Sequence, residues 1–73
     1  VECPSALKSY VRNMLPPGTG PITRLVIKVD ARGNFTTTTP AARSALADKG
    51  SPDKARKYAG DALPCHFSYE WAP

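Results

Sequence analysis

Histidine occurs once in this chain, at His66, and cysteine twice, at Cys3 and Cys65. That scarcity excludes several kinds of chemistry. Two cysteines near opposite ends cannot form a tetrahedral zinc site alone, and His66 is not spaced to complete one. Neither a metal nor any other cofactor is expected. A serine triad needs a base and an orienting acid; His66 is the one conventional base present, and no Gly-x-Ser-x-Gly elbow accompanies it. A Cys65–His66 couple fails on geometry, since neighbours on a strand face opposite ways. The stretch PPGTGP lacks the lysine and the following helix of a phosphate-binding loop. Long apolar runs are missing as well. The longest candidate, LVIKV, is interrupted by Lys28 and falls far short of the roughly 18 residues that span a bilayer.

The chain opens VECPS, without an initiating methionine or a basic, apolar leader. It reads as a processed mature form, with a piece of a longer protein as the alternative. Its 73 residues allow one domain, residues 1–73, and 41% hydrophobic against 22% charged residues is a globular balance. A domain of this size buries a thin core and gains much from a covalent staple. Cys3 and Cys65 are expected to supply it. A disulfide closing so much of the chain is worth about 4 kcal/mol in the chain-entropy picture. It also implies an oxidising compartment, so the protein is expected to be secreted or periplasmic.

Pro4 and Ser5 suit a helix start, and Leu7, Tyr10, Val11 and Met14 follow at the spacing of one helical face. Pro16 and Pro17 stop that helix. In ITRLVIKVD, Leu25, Ile27 and Val29 alternate with Arg24, Val26 and Lys28, as in a strand. DARGN provides a turn, and FTTTT returns as a second strand, rich in β-formers but light in apolar weight, hence an edge. Thr39 with Pro40, and Ser51 with Pro52, are cap-and-proline pairs that open helices. The first helix runs to Gly50. The second has Ala55, Tyr58, Ala59 and Ala62 as its buried stripe and ends at Pro64. Beyond it, Cys65, Phe67, Tyr69 and Trp71 alternate with His66, Ser68 and Glu70, which predicts a last strand whose aromatics line the core.

The order α-β-β-α-α-β defines an α+β two-layer sandwich. Two or three helices cover one face of a three-stranded, mostly antiparallel sheet. LVIKVDARGNF, followed by a helix and a short strand, is similar in pattern to the C-terminal domains of TonB and TolA. That resemblance implies a periplasmic adaptor whose exposed sheet edge accepts a partner strand. No residue role is carried over from it.

Charge points to the kind of partner. Ten lysines and arginines against six acids give a net charge of +4, which favours a protein or other surface of negative charge. Nucleic acid is not favoured, because the aromatics that would stack on bases are expected in buried stripes. Lys49, Lys54, Arg56 and Lys57 gather at the helix–helix junction, and Arg24, Lys28 and Arg32 on the hairpin. The connection from Pro16 to Arg24 is stiff, and stiff exposed loops bind at low entropic cost. Pro16, Pro17, Thr19, Pro21, Arg24, Lys28 and Arg32 are therefore the candidate binding residues. They belong, on this reading, to a small secreted non-enzymatic binding protein of toxin, effector or inhibitor type. A small basic secreted ribonuclease built on His66 and Glu70 is the further alternative, although four residues along one strand separate the two by about 13 Å. The triplet NFT at Asn34 fits the N-glycosylation pattern.

Overall fold

The computed structural model describes every residue from Val1 to Pro73. Its helices are α1 (Ser5–Met14), α2 (Pro40–Lys49) and α3 (Pro52–Ala59), and its strands are β1 (Thr23–Val29), β2 (Phe35–Thr36) and β3 (Cys65–Trp71). A 3₁₀ turn at Gly60–Ala62 follows α3. The chain order is α-β-β-α-α-β, and the sheet order is β2-β1-β3 with both pairings antiparallel. The first strand is thus the central one. The last strand lies along its full length, from Thr23 opposite Trp71 to Val29 opposite Cys65.

Period-two alternation decides which face is which. Leu25, Ile27, Val29, Cys65, Phe67 and Trp71 share a core with Leu7, Val11, Met14, Ala42, Leu46, Ala55 and Ala59 of the helices. Their strand neighbours Arg24, Val26, Lys28, His66, Ser68 and Glu70 are exposed. The helices form one layer, the sheet the other, and one sheet face stays open. Tyr10 stitches the helical layer together at its margin. Its ring lies 6.1 Å from that of Phe35 and 5.2 Å from that of Tyr58, and its hydroxyl accepts the Ser51 amide at 2.9 Å. Ser51, the N-cap of α3, in turn accepts from the Lys54 amide.

Cys3 and Cys65 are bonded, with Cα atoms 4.9 Å apart across a sequence separation of 62. The staple seats the first residues beside β3. His66 N donates to the Val1 carbonyl at 2.9 Å, and Cys3 N donates to the His66 carbonyl at 3.1 Å. No helix is long and apolar enough to cross a membrane.

Several local expectations are corrected. FTTTT pairs only at Phe35 and Thr36. Arg43 of α2 donates to the Thr37 carbonyl through Nε at 3.2 Å and Nη2 at 3.1 Å, and Thr37 is buried. The approach to α2 therefore draws the chain off the sheet before the remaining threonines can pair. Thr39 holds the cap position of α2 without a side-chain hydrogen bond. The stripe of α3 is Ala55 and Ala59 alone: Tyr58 is 41% exposed, and Ala62 falls in the 3₁₀ turn. That helix ends at Gly60, whose φ of +61° glycine adopts without the steric cost other residues meet, well ahead of Pro64. Tyr69 is half-buried where a core residue was expected.

Candidate functional site

Pro16, Pro17, Thr19 and Pro21 lie exposed on the connection between α1 and β1. This loop is fastened rather than free-standing. Trp71 Nε1 donates to the Pro16 carbonyl at 3.1 Å, Gly18 N to the Ala72 carbonyl at 2.6 Å, and Gly20 N to the Pro73 carbonyl at 2.9 Å. So close an approach requires glycine, because a Cβ at Gly18 would lie 2.3 Å from the Pro73 carbonyl carbon. The connection and the last residues of the chain are locked against each other.

The basic trio of the hairpin is divided. Arg24 and Lys28 both stand on the open sheet face, and Arg24 Nη2 meets Glu70 Oε1 at 3.3 Å in an exposed pair. Such pairs contribute roughly 0–1 kcal/mol and leave the guanidinium available to other partners. Arg32 sits elsewhere, in the turn between β1 and β2. Asp30 organises that turn by accepting the amides of Arg32 and Asn34, each at 2.9 Å. Those bonds, the Asn34 amide first, hold the Asp30 carboxyl below its ordinary value despite some desolvation. Gly33, at φ +91°, is pressed against the Pro52 carbonyl, and Arg56 of α3 donates to the Arg32 carbonyl. Arg32 thus belongs with the start of α3. At the helix junction Lys49, Lys54, Arg56 and Lys57 are all exposed, and Arg56 is paired with Asp53. Asn34 is exposed, and its Nδ2 donates to Asp30 Oδ2 at 3.5 Å.

His66 and Glu70 occupy opposite ends of the β3 face, with Lys28 and Arg24 as their respective cross-strand partners, so the fold does not bring them together. It brings Glu2 to His66 instead, through a parallel bridge. Lys8 Nζ donates to the Glu2 carboxylate. That hydrogen bond, then the Lys8 charge and, less, His66, hold Glu2 below its ordinary 4.5 against a small desolvation cost. His66 therefore has an acid on one side and the Lys28 ammonium on the other. The signal for this grouping was in the sequence, since a Cys3–Cys65 bond obliges residues 2 and 66 to be neighbours. No group of three His, Cys, Asp or Glu side chains is placed to hold a metal ion.

Between Arg24 and Lys28 stands Val26, 40% exposed, and just before β1 stands Ile22, 70% exposed. Sequence alternation already put Val26 in phase with the cations, yet its aliphatic character hid its place on the open face. The chain matches no family model, no curated protein and no solved structure. The likeness to TonB and TolA accordingly remains one of pattern.

Proposed function

We propose that the chain is a small secreted, non-enzymatic binding protein of toxin, effector or inhibitor type, which engages a protein or anionic surface through the open face of its sheet. One observation carries this reading: a sheet backed on one side by three helices and left open on the other, where Arg24 and Lys28 frame the exposed Val26. A braced, uncovered face with cations around an apolar patch binds without paying much to order itself. The disulfide is compatible with an oxidising, secreted or periplasmic setting. The adaptor reading draws on the same sheet and differs in what the chain is joined to.

The test is retention of a partner from host extract or medium by the immobilised, oxidised protein, compared with the Arg24→Glu/Lys28→Glu variant. A partner held by the native face and lost from the variant supports the reading. Equal retention by both rules the face out. A ribonuclease is the second reading, favoured by the juxtaposition of Glu2, His66 and Lys28, a proton-transfer pair beside a cation. RNA cleavage abolished by His66→Ala would establish it, and cleavage undiminished by that change would remove it.

A further inference from the structure

β1 is seven residues long, but on the side away from β3 only Lys28 and Val29 have strand partners. The ladder dictates which groups are left over. Asp30 N donates to the Asn34 carbonyl at 3.0 Å, so the even-numbered residues of β1 turn their amides and carbonyls toward β2 and the odd-numbered ones toward β3. Lys28 is matched by Thr36. Arg24 and Val26 have nothing opposite them on that side, and no turn, loop or side-chain hydrogen bond takes up their main-chain groups. Two amides and two carbonyls therefore stand in a row along an exposed edge.

A cleft of about 410 Å³ adjoins this edge where the chain peels away toward α2, lined by Val26, Lys28, Thr36, Thr37 and Thr38. Its wall is fixed, because the Arg43 guanidinium holds the Thr37 carbonyl through two nitrogens. Thr37 itself is 6% exposed, and its Oγ1 is buried with no hydrogen-bond partner. Unsatisfied strand amides beside a preformed cleft are the chemistry that captures an extended chain.

We propose that the β1 edge from Thr23 to Ile27 is a docking site for an extended acidic segment of another polypeptide, added as a strand beside β1. The proposal rests on the binding reading above and gives it a position and a partner. Alternate side chains of the added strand would share the open face with Arg24, Val26 and Lys28, so carboxylates there meet cations directly or diagonally across the strands. No carboxylate lines the cleft to oppose them. A second copy is the wrong occupant, since pairing β1 with itself sets Arg24 and Lys28 against the same cations of a molecule already carrying +4.

The probe is a synthetic peptide alternating glutamate and valine, titrated into the oxidised protein by NMR with amide hydrogen exchange as the readout. Two companions accompany it: a lysine–valine peptide, and a glutamate–valine peptide N-methylated at alternate residues. Expected are binding of the acidic peptide, slowed exchange at Arg24 and Val26 with His66 unchanged, and about tenfold weaker binding of each companion. Val26→Pro, which removes an edge amide while Leu25 and Ile27 keep their bonds to β3, should weaken binding to a similar degree. The N-methylated peptide asks the same question of the native protein, so a misfolded variant does not obscure the answer. Acidic-peptide binding that leaves Arg24 and Val26 exchange unaltered, or that tolerates N-methylation, overturns strand addition while leaving the open-face reading intact. Absence of acidic-peptide binding also overturns it, and the Arg24→Glu/Lys28→Glu retention experiment decides the broader reading separately.

Discussion

The two edges of the sheet are finished in different ways. On β3, the protein's own chain covers the His66 end of the edge and fastens the residues beyond Trp71, leaving Ser68 and Glu70 unbonded between them. Val1 and Cys3 bond His66, and Gly18 and Gly20 bond the residues that follow Trp71. On β1, a two-residue partner strand covers one end and leaves Arg24 and Val26 open. Open edges are templates for other chains, and proteins usually blunt them. Here the disulfide-held first residues blunt the His66 end of one edge, while the open stretch of the other is flanked by exposed cations. The difference teaches that the ends of β3 are structural, whereas the β1 edge has little to do with holding the fold together.

That contrast can be broken at its strongest point first. Replacing both cysteines by serine should lower unfolding free energy by about 4 kcal/mol in urea titrations, and should speed exchange of the His66 amide. An unchanged midpoint would mean the β3 edge does not depend on its staple. Next comes Gly18→Ala, whose added carbon collides with Pro73 backbone. A cost of about 1–3 kcal/mol is expected by thermal or urea unfolding. Trp71→Phe, which removes the donor to the Pro16 carbonyl, should cost about 1 kcal/mol beyond any loss of packing.

Acid offers a gentler probe. Glu2 and Asp30 are both held below their ordinary values of 4.5 and 3.8. The unfolded chain therefore takes up protons first as pH falls. Their contribution is complete above those values and is lost as pH drops through and below them. Urea midpoints should fall on that acid limb, and Lys8→Ala should flatten it, because Lys8 is the main cause of the Glu2 depression. The smallest effect belongs to the other edge. Val26→Thr and Arg24→Ala should each change stability by no more than about 0.5 kcal/mol. A loss at Val26 as large as that at Gly18 would erase the distinction between the edges.

Legibility in the sequence followed the range of the interactions. The stripe Leu7, Val11, Met14 and the alternation of Leu25, Ile27 and Val29 depend on repeat spacing alone, and both are realised. Ser51 and Pro52 announce α3 through chemistry within one turn. By contrast, FTTTT has the local propensity of a strand, and what shortens it is Arg43, a side chain of the next helix. The candidate site suffered accordingly. Arg24 and Lys28 were identified from strand phase, while the unpaired edge beside them depends on how soon β2 departs. Arg32 was grouped with them because it is near in sequence, but packing of the turn on α3 carries it away.

By itself the sequence determined the order of helices and strands, the buried faces of α1, β1 and β3 and the pairing of its two cysteines, because these follow from side-chain periodicity, turn chemistry and the arithmetic of a two-cysteine chain. Tertiary structure alone decided that the PPGTG loop is clamped by the last residues and that β1 keeps an open edge. Each of these depends on where residues far apart in the chain come to rest, and no local pattern encodes that distance.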